Sequence, residues 1–525
     1  MCGDFFWGEN DGWFPFAGEG VLPNGSVVVV RWRTNAPINP YPPAIPPDPN
    51  VSLGINACAQ ICSCLNFACA RSCIQIFPWK GDFSFQSHLL LKLGNLFAIF
   101  VRCNNHKTKG TNMYIMALNC GSSSLKYQIF DADSKKQIVG GNVEKIGSPD
   151  SFITQKYPDG KKEKKETPMQ NHNDALNVVM GMLRAASVDM NEIRGVGHRV
   201  VMGGSKYASS VEINDEVMRE IQNWRDLMPL HIPASLMGIE SARQMLPNAT
   251  QVAVFDTAFL QTMPEYAYRY AVPDAWYREL GVRRYGFHGT SHLYVSKRAA
   301  VMLGKPAADC NLITMHIGSG ASGVAIKNGR AVDTTLGMTP TAGLMMGTRP
   351  GDVDAGALLY VMEKLKLSPE QMTKHMNKDS GHVGITKCFA DRRDVESNRE
   401  TNPDCKLSLE MEVHSVKKYI GAFMAELGHV DALVFTAGVG ENDDYLRGKF
   451  CEGLAELGIK IDADKNARAL ARLDAGESVI SADDSRIKVF MIPTNEEIVI
   501  VEDTIGIMNG TYNPDHLKMN YSFAK

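Results

Sequence analysis

Long apolar runs are missing from this chain. The most apolar stretch, His88–Val101, falls short of the ~20 residues a membrane span needs and is broken by Lys92 and Asn95, which argues against a transmembrane helix. Charge of one sign is missing as well. A formal net charge of −3 leaves no basic stripe for a nucleic-acid backbone and no polybasic membrane patch, so neither partner is expected and small molecules are favoured. Cysteine is sparse over most of the length: seven of the twelve precede Met113, and Cys120, Cys310, Cys388, Cys405 and Cys451 are scattered over the rest. That usage fits a reduced, cytoplasmic body. The N-terminus lacks a basic end followed by an apolar run and a cleavage site, and Asp4 and Glu9 argue against a transit peptide.

What is present divides into two textures. Residues 1–112 hold four of the six tryptophans and ten of the twenty-five prolines, including the run from Pro37 to Pro49, which suits neither a helix nor a central strand. Cys58, Cys62, Cys64, Cys69 and Cys73 match none of the spacings that mark zinc or iron–sulfur sites. This segment is expected to be an irregular, disordered extension or the product of a start assigned upstream of Met113.

From Met113 onward, β-rich runs alternate with helical periodicity. Apolar runs at 114–119, 252–255, 311–317, 432–436 and 489–492 each end at a polar or glycine-containing turn, and stretches 174–187, 407–427 and 443–457 have helical spacing. An α/β chain follows. A repeat is also visible: the strand–turn–strand pattern of Tyr114–Phe130 recurs at Leu312–Ile326, and each copy continues into a third strand, at 137–143 and 331–335. Two like halves suggest a cleft between them.

The first turn of the repeat, Asn119-Cys-Gly-Ser-Ser-Ser-Leu-Lys126, offers backbone N–H groups, hydroxyls and a cation at a strand end, the parts needed to hold phosphate oxygens. It is not a Walker loop, and alone it reads equally as a hairpin. Further along stand Gly197-His-Arg-Val-Val-Met-Gly-Gly204, Arg284-Tyr-Gly-Phe-His-Gly-Thr-Ser-His292, Gly347-Thr-Arg349, Phe435-Thr-Ala-Gly-Val-Gly-Glu-Asn442 and Ile492-Pro-Thr-Asn-Glu-Glu497. In this order the six motifs resemble the acetate kinase family.

That resemblance implies the fold: a duplicated βββαβαβα topology of the ribonuclease H-like, actin/Hsp70/sugar-kinase kind, with two kinase domains at 113–265 and 266–500 and residues 501–525 returning to the first. It implies reversible transfer of the γ-phosphoryl group of ATP to acetate, giving acetyl phosphate and ADP, with Mg2+ (Mn2+ as an alternative) and a homodimer. Because the acceptor carboxylate is already ionised at neutral pH, the reaction needs charge neutralisation rather than a strong base.

The resemblance also assigns roles. Arg199 holds the acceptor carboxylate, Arg349 stabilises the transferring group, His288 hydrogen-bonds it, and Asp256 orients the acceptor or the metal surroundings. Val201, Leu230, Phe287 and Pro340 form an apolar pocket suited to a methyl group. Ser122, Ser124, Lys126, His316, Ile317, Gly318, Ser319 and Gly320 belong to the phosphate turns; Asp391, Arg392, Arg393, Gly438, Val439, Gly440, Glu441 and Asn442 lie on the adenosine side. Asn119 and Glu496 are the magnesium-site residues, with Glu497 as competitor. The spacing of His288 and His292 would also suit zinc, but the glutamate of metallohydrolases is absent, leaving His292 a structural histidine.

Several positions depart from the family pattern. Ser319 stands where Asn is usual, Met202 for His, Ile232 for Asn, Leu260 for His, Ala342 for Glu and Arg392 for Phe. None removes a predicted catalytic group; pyrophosphate is the alternative donor, and the adenosine-side motifs favour ATP. Competing readings are a propionate or butyrate kinase with the same machinery and, from another class, an Hsp70- or actin-like ATPase. The ATPase predicts a substrate-binding appendage after the last motif, and the chain has none of the length that requires.

Overall fold

The computed structural model describes residues 113–229 and 231–525 in full and four earlier strands by their backbone. The chain divides into two units, Met1–Thr111 and Asn112–Lys525. In the first, β1 (Gly18–Val21), β2 (Val27–Thr34), β3 (Leu89–Leu93) and β4 (Phe97–Cys103) form an antiparallel sheet in the order β1-β2-β4-β3. The proline-rich run 37–49 and the cysteines at 58–73 lie outside the described residues.

The second unit contains two sheets built on one plan. In the first sheet, β5 (Tyr114–Cys120), β6 (Ser124–Asp131) and β7 (Gln137–Glu144) form an antiparallel meander; β10 (Ile193–Val200) then adds parallel to β5, and β12 (Thr250–Phe255) parallel to β10. The second repeats this with β13 (Leu312–Ile317), β14 (Ala321–Lys327) and β15 (Arg330–Thr334), followed by parallel β16 (Ala432–Thr436) and β18 (Lys488–Met491). The expected duplication is therefore present, and each predicted strand run coincides with a strand. Edge strands add to both sheets: β8 (Phe152–Lys156), β9 (Lys162–Glu166) and β11 (Val211–Glu212) to the first, β17 (Ser478–Val479) to the second.

Helix limits follow local chemistry. Asn402 caps the helix Pro403–Leu427, its side chain accepting from the backbone N–H groups of Asp404 and Cys405. The single helix expected over 443–457 is instead two pieces, Asp444–Cys451 and a short 3-10 turn Ala455–Leu457. Gly453 and Gly458, at φ +80° and +90°, break the run in a backbone region that favours glycine. Among the described residues no helix is long and apolar enough to cross a membrane.

The helix Glu496–Met508 packs on β5, β10 and β12, so its first turn reaches the ends of those strands. Close approach is permitted by Gly197 on β10, where an added Cβ would lie 2.4 Å from Ile500 Cγ2 and 2.5 Å from Thr504 Oγ1. Gly197→Ala is expected to cost about 1–3 kcal/mol by overpacking. A urea-denaturation midpoint equal to that of the parent would contradict this packing.

Asp503 on the same helix is 3% exposed and accepts hydrogen bonds from Ser210 Oγ at 2.7 Å and Tyr521 OH at 2.8 Å. Burial pushes its carboxyl up to about 7. Because the folded pKa lies above the unfolded value, the native state holds this proton more tightly. The resulting stability is fully present below pH ~4, declines as pH rises toward 7, and is lost above it. Asp503→Asn should remove that decline, gaining up to roughly 4 kcal/mol relative to the parent between pH 4 and 8. Denaturation curves at both pH values provide the check.

Candidate active site

Parallel strands carry Arg199 and Asp256 to the same end of the first sheet, Arg199 near the end of β10 and Asp256 just past β12. Arg199 Nε donates to Asp256 Oδ1 at 2.9 Å and Nη2 to Oδ2 at 2.5 Å, while Asp256 is 1% exposed. Burial works against the guanidinium charge, but Asp256 and Glu496 raise its pKa above the usual arginine value. This bidentate pair uses two of the five guanidinium N–H groups, leaving the others for an anion.

Glu496 opens the helix Glu496–Met508, which Asn495 caps. Its Oε2 accepts from Thr290 Oγ1 at 2.7 Å and lies 3.7 Å from Arg199 Nε. Asn119, Lys126, Arg199, Glu496 and Glu497 line one small cavity of about 60 Å3, so the two expected metal-site residues do come together. Glu497, the competitor, is held in an ion pair by Lys126. Ser122 and Ser124 lie exposed on the β5–β6 turn beside this cavity's strands.

His288 precedes the helix Gly289–Leu303 in a left-handed conformation, φ +59°. The next residue explains the turn: Gly289 N–H donates to the Asp256 carbonyl at 2.8 Å, and an added Cβ there would lie 2.2 Å from that oxygen. The backbone of one site residue thus sets the orientation of another. A non-glycine residue held at positive φ stores strain of about 1–3 kcal/mol, a cost commonly met at functional positions.

The His288 ring stacks on His316 with centroids 4.2 Å apart. Burial, before any neighbouring charge, lowers the pKa values of His288, His292 and His316, so all three are neutral at pH 7. Their hydrogen bonds couple the tautomers, since the chain Thr314–His292–Ser322–His288 can carry its protons in one direction or the other. Ser322 Oγ lies 2.8 Å from both His288 Nδ1 and His292 Nε2, and Thr314 Oγ1 lies 2.8 Å from His292 Nδ1. With Thr314 donating to His292, His292 Nε2–H donating to Ser322 and Ser322 donating to His288 Nδ1, His288 keeps its proton on Nε2. His316 Nδ1 lies 2.8 Å from Ser291 Oγ, which also accepts from Thr494 at 2.9 Å.

Arg349 approaches from the second half of the chain. Its Nη1 donates to the Pro340 carbonyl at 2.7 Å, and burial lowers its pKa with no compensating acid. Among the described residues it pairs with no carboxylate. A Cβ placed on Gly320 would be 3.3 Å from both Arg349 Nη2 and His288 Nε2, so a cation and a neutral donor converge on the β13–β14 turn. Glycine at that point keeps the space between them open.

Beyond this turn lies a cleft of about 730 Å3, lined among others by Gly318, Ser319, Asp391, Gly438, Val439 and Asn442, and large enough for a nucleotide. Other residues expected to bind the nucleotide have different surroundings. Ile317 is buried within β13, and Gly440 is buried in the following helix Ala437–Asn442. Glu441 accepts from the backbone N–H groups of Ala437 at 2.8 Å and Thr494 at 2.9 Å, tying two loops together. Arg393 is exposed and pairs with Asp391 at 2.5 Å. Arg392 borders the cleft, but its buried guanidinium forms a bidentate pair with Glu412, which His382 approaches at 3.2 Å.

Val201 and Pro340 are partly buried and Phe287 is 2% exposed, whereas Leu230 lies outside the described residues. Sequence reasoning singled out neither Thr290, Ser322 and Thr494 as hydrogen-bond partners nor His231. Burial, then the charges of Arg199 and Arg349, lower the His231 pKa, which places it near both guanidinium groups. Thr290 and Thr494 stand inside motifs already noted; a lone serine on β14 carries no signal.

Comparison with known proteins agrees with this geometry. The profile of the acetokinase family matches residues 114–502. An acetate kinase of Trichlorobacter lovleyi is 50% identical over 422 residues, covering 79% of this chain and 99% of the relative, and one of Geobacter metallireducens is 49% identical over 418. Among solved structures, Porphyromonas gingivalis acetate kinase aligns at TM-score 0.70 and 43% identity over 75% of this chain and all of the other. A Francisella tularensis propionate kinase aligns at TM-score 0.70 and 36% identity, covering 74% and 98%.

Proposed function

The chain belongs to the acetokinase family, and we propose that it transfers the γ-phosphoryl group of ATP to acetate, reversibly giving acetyl phosphate and ADP. The observation that carries this reading is the convergence of unpaired Arg349 and neutral His288 on the Gly320 turn, facing the cleft side, together with the Arg199–Asp256–Glu496 cluster.

The chemistry follows from these groups. Arg199, held by Asp256, presents its remaining N–H groups to the acetate carboxylate, whose methyl faces Val201, Phe287 and Pro340. A carboxylate oxygen attacks the γ-phosphorus, the bond to the β-phosphate bridging oxygen breaks, and ADP leaves. Arg349 and His288 Nε2–H bear on the equatorial oxygens as negative charge spreads over them. Asp256 positions Arg199 and takes no proton, because the nucleophile has none to give.

Asn119 and Glu496 supply hard oxygen donors. Both line the same small cavity as Lys126 and Arg199, and such oxygen donors suit Mg2+ held largely through water and phosphates. When bound, Mg2+ would neutralise charge on the transferred phosphates.

Domain limits at 113–265 and 266–500, with 501–525 returning to the first sheet, are part of this proposal, supported by the two repeated sheets and by the packing of the helix Glu496–Met508. So are a cytoplasmic location, in keeping with a nucleotide substrate, and a homodimer. The latter is supported by the helix Ala355–Leu365, which buries none of its residues and exposes Leu359, Tyr360 and Leu365.

Hydroxamate trapping of acyl phosphate formed from ATP, Mg2+ and acetate tests the reaction. Product from acetate is expected; none from any short acid overturns the assignment. In the same assay propionate should react more weakly, since one methylene in an apolar pocket changes discrimination by only about 1–3 kcal/mol. Propionate exceeding acetate in kcat/KM would instead favour the activity named for the Francisella relative.

A further inference from the structure

Lys297 lies on the helix Gly289–Leu303 and is 5% exposed. Its ammonium has no hydrogen bond or ion pair with any described residue. The nearest acid, Asp515, is taken by Arg330 in two contacts of 2.9 and 3.0 Å. Burial therefore dominates and lowers the Lys297 amine to about 8, with Asp515 opposing and Arg330 assisting. No other lysine among the described residues is lowered; Lys305, also on the cavity, is raised by its pair with Asp431. Also facing this point are His516, which burial lowers to about 4 and so keeps neutral, and Lys525.

Lys297 is not walled in. With Lys305, Leu517 and Asn520 it lines a cavity of about 220 Å3. That space admits a molecule the size of an acyl phosphate. A desolvated amine without a counter-ion is the form in which lysine acts as a nucleophile.

We propose that Lys297 is a self-acetylation site whose acetyl donor is acetyl phosphate; the choice of donor rests on the reaction proposed above. The Nζ lone pair attacks the acetyl carbonyl carbon. The C–N bond forms, the C–O bond to phosphate breaks with its electron pair on the departing phosphate, and one proton passes from nitrogen to solvent. No co-reactant is needed.

The test supplies acetyl phosphate directly to the full chain at pH 7.5 and follows each lysine by peptide mass spectrometry. Lowering an amine by two pKa units increases its free-base fraction roughly 10²-fold. Allowing for the weaker nucleophilicity of a less basic group, Lys297 should be acetylated about tenfold faster than exposed Lys136 and Lys162. The excess should disappear in urea, where burial is lost. A rate at Lys297 no greater than at the exposed lysines, or an excess that survives unfolding, overturns the proposal. A parallel sample with ATP, Mg2+ and acetate separates the two readings: absence of acyl phosphate there counts against the kinase, whereas slow modification by supplied acetyl phosphate counts against the site.

Discussion

Replacing Arg349 with alanine is expected to lower kcat about 10³-fold or more, while the denaturation midpoint stays close to that of the parent chain. The two halves of this expectation have one cause. Arg349 is buried without a carboxylate partner, so its charge is a liability in the resting fold and becomes useful only when anionic oxygens enter beside Gly320. Removing it takes away stabilisation of the transferring phosphoryl group but leaves no buried acid unpaired. Arg349→Lys should recover little, because a point charge cannot reproduce the guanidinium fork that reaches both Pro340 and the turn. Steady-state kinetics with a denaturation curve on the same preparation decide the matter; turnover within tenfold of the parent would remove Arg349 from the role assigned to it.

Arg199→Ala should look different despite a loss of kcat/KM of similar size, about 10³-fold. Here the guanidinium is the partner of a carboxylate that is 1% exposed. Its removal leaves Asp256 buried beside Glu496 with Thr290 as its one side-chain hydrogen-bond donor among the described residues, so destabilisation of roughly 3 kcal/mol should accompany the lost activity. Converting Asp256 to Asn in the same chain should restore most of the stability and none of the activity. If the double variant is no more stable than Arg199→Ala, the pair does not have the energetic coupling described. If acetate KM is unchanged while kcat falls, Arg199 is not the acceptor clamp.

Much of the fold could be read along the chain because its cues are local. Strands β5, β12, β13, β16 and β18 are apolar runs closed by turn residues, and the repeated meander announces itself through alternation and Gly-Ser turns. The strands that escaped notice lack those cues. β10 carries Gly195, Gly197, His198 and Arg199, an unpromising composition until the helix Glu496–Met508 is seen to need glycine against it. The sequence of β9 is Lys-Glu-Lys-Lys-Glu with every residue exposed, so only pairing with β8 makes it a strand.

The site divides along the same line. By itself the sequence determined the duplicated α/β plan, the order of the motifs and the residue types that phosphoryl transfer to a carboxylate requires, because motif composition and strand periodicity are properties of neighbours in the chain. Only the tertiary structure decided which of those residues face one another. Arg199 meets Asp256, Thr290 meets Glu496 across 206 positions, and Ser322 joins two histidines whose tautomers it couples. It also separated Arg349, left without a counter-ion, from Arg392, which the motif placed on the adenosine side and the fold commits to Glu412. The physical reason is that charge pairing and desolvation depend on distance and burial, which packing creates between distant parts of the chain.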